Sequence, residues 1–148
     1  YNVKKDLYGN LYALPSWNND KIYKSTDRGN TWVQLSSFPA LGDHNFMALG
    51  VDANNSIYAS TNHNGMYRSM DNGASWSNVQ DFGFGCGPMD IVFTTATGSV
   101  LTVKGSSRGI WYSNNSNNWT QKIGGLDPPS VTKDIYGKYY LQCVLQSH

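Results

Sequence analysis

An all-β fold of repeated four-stranded antiparallel sheets is predicted by three observations. An eight-residue motif recurs at a fixed interval. Each interval holds four short strand-like runs. The composition favours strands and tight turns over helices. The motif is Ser-x-Asp-x-Gly-x-x-Trp. It reads STDRGNTW from Ser25 to Trp32 and SMDNGASW from Ser69 to Trp76, 44 residues later. All ten acidic residues are Asp, and Glu is absent, while Asn occurs 16 times, Gly 15 times and Tyr ten times. Glu and Ala, which drive helices, give way to residues that suit turns and pleated surfaces.

The repeat extends beyond the motif. DLYGNLYAL (Asp6–Leu14) and KIYKS (Lys21–Ser25) precede the first copy; DANNSIYAS (Asp52–Ser60) and GMYRS (Gly65–Ser69) precede the second. A third unit reads TATGSVLTV (Thr95–Val103), then GIWYS (Gly109–Ser113), then NNSNNW ending at Trp119. Its motif has decayed: Asn115 replaces the Asp, the Gly is missing and one residue is deleted. A fourth unit begins as DIYGKYYLQCV (Asp134–Val144). Within the second unit the strands are expected at FMALGV (Phe46–Val51), SIYAST (Ser56–Thr61), GMYRSM (Gly65–Met70) and SWSNVQ (Ser75–Gln80), here called A to D. Alternation and β-branched or aromatic content mark them, and Asp-Ala-Asn-Asn, His-Asn-Gly and Asp-Asn-Gly punctuate them. Four strands per 44 residues is one blade of a β-propeller. The expected blades span about 1–38, 44–82 and 89–123, with a partial blade at 131–148.

Each motif residue has a task in the C-to-D turn. Asp27 and Asp71 can accept hydrogen bonds from backbone N–H groups ahead of them. Gly29 and Gly73 permit positive φ. Ser25 and Ser69 add a local hydrogen bond. Trp32 and Trp76 begin strand D and cover the turn and the gap to the next blade. In the third unit Ser113, Asn115 and Trp119 take these places. The motif is therefore expected to be architecture, not a repeated catalytic site.

STDRGNTW and SMDNGASW resemble the Asp-box, or bacterial neuraminidase repeat, of sialidases, xyloglucanases, sortilin-type receptors and other secreted propellers. With the flanking strands, the resemblance covers nearly the whole chain. It implies a propeller with the Asp-boxes on the face away from any active site, and it implies secretion. It does not specify activity, because such propellers include enzymes and binders. KIYKSTDRGNTWVQLSSFP is the stretch most similar to xyloglucanases, whose cleft runs across two propellers. The sialidase resemblance implies three arginines gripping a carboxylate and a Tyr–Glu pair. Here Arg28, Arg68 and Arg108 fall at different heights, and there is no Glu.

Three and a half blades do not close a ring. The open flanks are expected to meet either the remaining blades of a longer chain or another copy, a two-chain ring of about seven blades being the simplest assembly. No signal peptide is visible and the chain does not begin with Met, so it reads as a mature, trimmed or excised piece. Strand direction puts the A–B turns with the motif turns on one face, and the B–C and D–A loops on the other. That second face gathers Trp17, Asp20, Asp43, His44, His63, Phe84, Arg108 and Asp127 on longer, more varied loops, the usual seat of function. Aromatic faces beside Asp and Asn acceptors suit sugar rings, so carbohydrate is the expected ligand.

The other chemistries are poorly served. Asp20, Asp43, Asp90 and Asp127 are the carboxylates available for an acid and base pair in glycoside hydrolysis. His44, His63 and His148 lack metal-ligand spacing, and neither a phosphate loop nor a Gly-x-Ser-x-Gly elbow occurs, so no metal and no cofactor are expected. A net charge of +1 argues against nucleic acid, and no apolar run reaches the roughly 18 residues of a membrane span. Cys86 and Cys143 are either two buried thiols or one disulfide. Asn54, Asn114 and Asn118 stand in N-x-Ser/Thr sequons. The expectation is a non-catalytic extracellular recognition or assembly module, with carbohydrate the leading ligand. A glycoside hydrolase fragment and a purely structural subunit are the alternatives.

Overall fold

The computed structural model describes residues 2–14, 21–35, 46–61, 65–80, 88–93, 100–104, 110–113, 118–123, 130–133 and 139–142. Among them are fourteen strands and no helix. The first sheet holds β1 (Asn2–Lys5), β2 (Leu11–Leu14), β3 (Tyr23–Ser25) and β4 (Val33–Gln34) in that order. The second holds β5 (Phe46–Val51), β6 (Ile57–Thr61), β7 (Met66–Ser69) and β8 (Ser77–Gln80). The third holds β9 (Pro88–Phe93), β10 (Val100–Lys104), β11 (Ile110–Ser113) and β12 (Thr120–Ile123). A two-stranded sheet of β13 (Ser130–Lys133) and β14 (Tyr139–Gln142) follows. Every strand pairs antiparallel with its neighbour in sequence, so each sheet is an up-and-down meander.

The strands of the second unit are slightly shorter than expected. Ser56, Gly65 and Met70 lie outside them, and so does Ser75. Trp32 and Trp76 do not begin the fourth strands either. Pairing starts one residue later, at Lys24↔Val33 and Arg68↔Ser77.

Register fixes which side chains share a face, because side chains alternate along a strand. In the second sheet Leu49, Ala59 and Tyr67 stand opposite one another across β5, β6 and β7. Their face meets the first sheet: Tyr12, Leu14 and Ile22 form one buried cluster with Phe46, Leu49, Ile57 and Ala59, and Leu35, Val51 and Trp76 pack onto it. The opposite face meets the third sheet. Ala48, Tyr58 and Met66 form a second cluster, with Val79, Trp111 and Trp119 packed against it. The hydrophobic core is thus a set of seams between successive sheets, not one central cluster. Full burial of a side chain of Leu or Ile size contributes about 1.5–3 kcal/mol. The principal contacts between successive sheets run through β1, β2, β5, β6, β9 and β13, chiefly the first strand of each sheet.

The seams also place the tryptophans. Trp76 packs against the seam with the preceding sheet, and so does Trp119. The expected direction, toward the next blade, is therefore reversed.

Candidate functional site

Two hairpin devices repeat at one end of the sheets, and both are built from carboxylates. The first is the Ser-x-Asp-x-Gly-x-x-Trp turn. In the first sheet Asp27 Oδ1 accepts from the Thr31 backbone N–H at 2.8 Å and from the Ser25 hydroxyl at 2.7 Å. Asp27 Oδ2 accepts from the Thr31 hydroxyl at 2.6 Å. The Gly29 N–H donates to Ser25 Oγ at 2.8 Å, and the Trp32 indole N–H donates to the Gly29 carbonyl at 3.0 Å. The second sheet repeats the carboxylate and glycine bonds. Asp71 Oδ1 accepts from Ser75 N–H and from the Ser69 hydroxyl, both at 2.8 Å, its Oδ2 accepts from the Ser75 hydroxyl, and Gly73 N–H donates to Ser69 Oγ at 2.7 Å.

Donors crowded onto one carboxylate favour its charged form. The Thr31 hydroxyl and N–H, then Ser25, lower the pKa of Asp27 to about 2. Ser75 and Ser69 do the same for Asp71, also to about 2. The backbone bends through two successive left-handed residues, Arg28 (φ 63) and Gly29 (φ 94), and likewise Asn72 (φ 58) and Gly73 (φ 88). At Gly73 an added Cβ would lie 2.8 Å from Leu35 Cδ1 of the first sheet, whereas at Gly29 the nearest atom, Leu11 Cδ1, would be 3.5 Å away. The second glycine thus serves the turn and the seam together.

The second device was not read from the sequence. In the first and second sheets the first hairpin opens on a buried Asp whose partner is a buried Tyr six residues on. Asp6 Oδ1 accepts from the N–H groups of Tyr8 (2.9 Å) and Asn10 (2.8 Å), and Oδ2 accepts from Asn10 Nδ2 (2.7 Å) and the Tyr12 hydroxyl (3.3 Å). Asp52 Oδ1 accepts from Asn54 N–H (2.9 Å) and Ser56 N–H (2.8 Å), and Oδ2 from the Tyr58 hydroxyl (3.2 Å). Burial, then the charge of Asp6 and its hydrogen bond, raise the pKa of Tyr12 to about 12. A signal for this was present. Asp134 stands six residues before Tyr140, and in the third unit both members are replaced together, by Thr95 and Leu101. Register agrees with the pattern. Pairs Lys5↔Leu11, Val51↔Ile57 and Lys133↔Tyr139 each enclose five residues starting with Asp, whereas Phe93↔Val100 encloses six and no Asp. A buried phenol needs an acceptor, and a buried leucine does not.

A polar bridge joins the two sheets at this end. Asn72 Oδ1 accepts from Lys24 Nζ of the first sheet and from Asn55 Nδ2, each at 3.2 Å, and Lys24 Nζ lies 5.2 Å from the Tyr12 ring centroid. The motif turns and the first hairpins therefore share one end, and the described carboxylates there are engaged in the turns.

The other end carries the loops expected to meet a ligand. Trp17, Asp20, Asp43, His44, His63, Phe84, Arg108 and Asp127 all lie outside the described residues, as do Asn115, Asn114, His148, Cys86 and Cys143. Asp90 lies on β9. Rigid strand ends border these loops. Leu14, Ile22, Phe46, Thr61 and Met66 are all buried, so the loops leave from fixed points. Thr61 donates twice to the Gly65 carbonyl, from its N–H at 2.9 Å and from its hydroxyl at 3.2 Å. Among the described residues no group of three or more His, Cys, Asp or Glu is placed to hold a metal, and no helix is long and apolar enough to cross a membrane.

No protein-family model matches the chain. A xyloglucanase of a Paenibacillus species is 38% identical over a 77-residue alignment, covering 45% of this chain and 8% of the relative. The fold is similar to a GH74 enzyme of Niastella koreensis, with a TM-score of 0.70 at 23% identity over 95% of this chain and 25% of the other. It is also similar to virginiamycin B lyase of Staphylococcus aureus, with a TM-score of 0.76 at 15% identity over 97% of this chain and 48% of the other. The chain spans under a tenth of the xyloglucanase and at most about half of these two structures. Meandering four-stranded sheets packed face to face, and this likeness along nearly the whole chain, make it a partial β-propeller: three blades and half of a fourth.

Proposed function

We propose that the chain is an Asp-box propeller segment of an extracellular, xyloglucanase-like glycoside hydrolase, and that its B–C and D–A loop end forms part of a polysaccharide groove. The likeness to the Paenibacillus xyloglucanase carries this reading, since it is the one similarity here that is too high in identity to reflect fold alone. The division of labour between the two ends supports it. Asp6, Asp27, Asp52 and Asp71 are fully engaged in turns at one end. Of the six others, Asp20, Asp43, Asp90 and Asp127 are the candidates for acid and base work, and Trp17 and Phe84 are the candidate stacking surfaces.

A second reading, a non-catalytic carbohydrate-recognition module, rests on that same engagement: every carboxylate whose side chain is described is structural. The two readings separate in one experiment. Retardation in a native gel cast with xyloglucan is measured beside release of reducing ends from the same polymer. Retardation with reducing-end release that Asp→Asn changes at positions 20, 43, 90 or 127 abolish supports the hydrolase. Retardation alone, lost in Trp17→Ala, supports the recognition module. Neither signal on xyloglucan or other plant polysaccharides sinks both.

A further inference from the structure

We infer that Asn72–Gly73 is a latent deamidation site, held unreactive by the second motif turn and released to react whenever that turn opens. An asparagine followed by glycine is the pair most open to this chemistry, because glycine has no Cβ to screen its amide nitrogen. That nitrogen attacks Asn72 Cγ and expels the side-chain nitrogen as ammonia, leaving a five-membered succinimide. Water then opens the ring to aspartate or isoaspartate. The net change consumes water and releases ammonia, with no oxidant or reductant. The chain has two such pairs, Asn64–Gly65 and Asn72–Gly73. Only the second lies in a motif turn. The first motif has Arg28–Gly29 at that place, and the third has lost its glycine.

The turn restrains both reacting groups. Gly73 is buried, and its N–H donates to Ser69 Oγ at 2.7 Å. Ser69 is itself only 1% exposed. The nitrogen must shed its proton to attack, and in the turn that proton is engaged and shielded from solvent base. The Ala74 N–H closes the turn onto the Asp71 carbonyl at 3.3 Å, and Asn72 between them is left-handed, at φ 58. The Asn72 carboxamide is tied as well, its Oδ1 accepting from Lys24 Nζ and Asn55 Nδ2. A lysine bond by itself draws charge toward that oxygen and would speed attack at Cγ. Protection therefore rests on the Ser69–Gly73 bond, not on the Lys24 bridge. Conversion is also one-way. Isoaspartate adds a methylene group to the main chain, next to a glycine where even an added Cβ would lie 2.8 Å from Leu35 of the first sheet. A reversible opening of the turn becomes permanent once the ring has hydrolysed.

The test is peptide mapping of the folded protein that carries these blades, after incubation in mildly alkaline buffer, beside the same protein in concentrated urea. Conversion is read from the mass gained when the amide becomes a carboxyl group, and chromatography separates isoaspartate from aspartate. In urea the two Asn-Gly pairs are expected to convert at similar rates. In the folded protein Asn72 is expected to convert at least about tenfold more slowly than in urea, because only the open turn reacts. Ser69→Ala is expected to raise folded-state conversion at Asn72 by about tenfold, the effect of stranding one buried donor, with the far-ultraviolet spectrum unchanged. Lys24→Ala, which removes the bridge and keeps the Ser69 bond, is expected not to raise it. Hydrogen exchange at the Gly73 N–H of the parent covers the case in which Ser69→Ala does not fold, since it reads opening of the turn directly, and slow exchange is expected. Folded conversion at the urea rate overturns the inference. So do rapid exchange at Gly73, an Asn72 that stays unconverted in urea while Asn64 reacts, and a folded Ser69→Ala protein that converts no faster than the parent. A Lys24→Ala rate as high as that of Ser69→Ala overturns the assignment of protection to Ser69.

Discussion

Strands β2 and β6 occupy the same place in successive blades and carry similar residues, Leu-Tyr-Ala-Leu against Ile-Tyr-Ala-Ser-Thr. Yet β2 alternates half-buried with buried, while β6 is buried at all five positions. Among the described residues, the second blade has a neighbour on each face, and the first on one. Burial in a propeller is therefore decided by position in the ring more than by the strand's own pattern. A strand that alternates when it stands at a flank becomes continuous core when it is sandwiched.

The sharpest way to break this comparison is to remove matched side chains from the two strands. Ile57→Ala should cost about 2–5 kcal/mol in urea unfolding, because it leaves a cavity in a closed seam. Leu11→Ala should cost under about 1 kcal/mol in dilute solution, since its side chain is only half-covered. Equal losses would show that position in the ring does not govern burial.

The Asp–Tyr pairs give the next largest effect. Asp52→Ala should cost about 3 kcal/mol, through lost charged hydrogen bonds and a stranded buried phenol. Adding Tyr58→Phe to Asp52→Ala should recover about 1 kcal/mol, because the hydroxyl no longer needs an acceptor. Strictly additive losses would show that the pair is not coupled. The third blade already carries the double change in sequence, with Thr95 and Leu101.

The two turn glycines sharpen the comparison further. Gly29→Ala should cost about 1 kcal/mol from left-handed strain alone. Gly73→Ala should cost roughly 1–3 kcal/mol more, because its methyl group would collide with Leu35 across the seam. Equal melting-temperature shifts for the two would mean that Leu35 yields freely.

The smallest effects are in pH. Asp27 and Asp71 have folded pKa values of about 2, below the ordinary carboxylate value, so their stabilisation is present above about pH 4 and is lost as pH falls toward 2. Asp27→Asn and Asp71→Asn should flatten the acid limb of a stability-versus-pH curve. Tyr12 has the opposite sign. Its folded pKa of about 12 lies above the unfolded value, so stability is full below about pH 10 and is lost as pH rises toward 12. Tyr12→Phe should flatten that alkaline limb, and an unchanged limb would assign the loss to other groups.

Legibility followed the range of the interactions. Strand β5 fell where its alternation and flanking turn residues placed it, at Phe46–Val51, because hairpins are local. The glycine positions of the motif turns were equally readable, since positive φ selects glycine whatever surrounds it. The left-handed Arg28 was not readable, as no chemistry of arginine asks for it. The Asp–Tyr pairs were visible as letters but not as a bond, because spacing alone does not show that both side chains turn into the same seam. The candidate ligand residues, from Trp17 to Asp127, fall in stretches of sequence with neither strand period nor repeat register to place a side chain, and they lie outside the described residues.

By itself the sequence determined the repeating unit: its period, its four strands and the polar groups that close its turns. These depend on contacts within about ten residues, so they are written in each unit separately. Only the tertiary structure decided which face of each sheet becomes core, which way each tryptophan folds, and why Gly73 has less room than Gly29. Those outcomes depend on the sheet next door, and identical units acquire different surroundings once they are stacked.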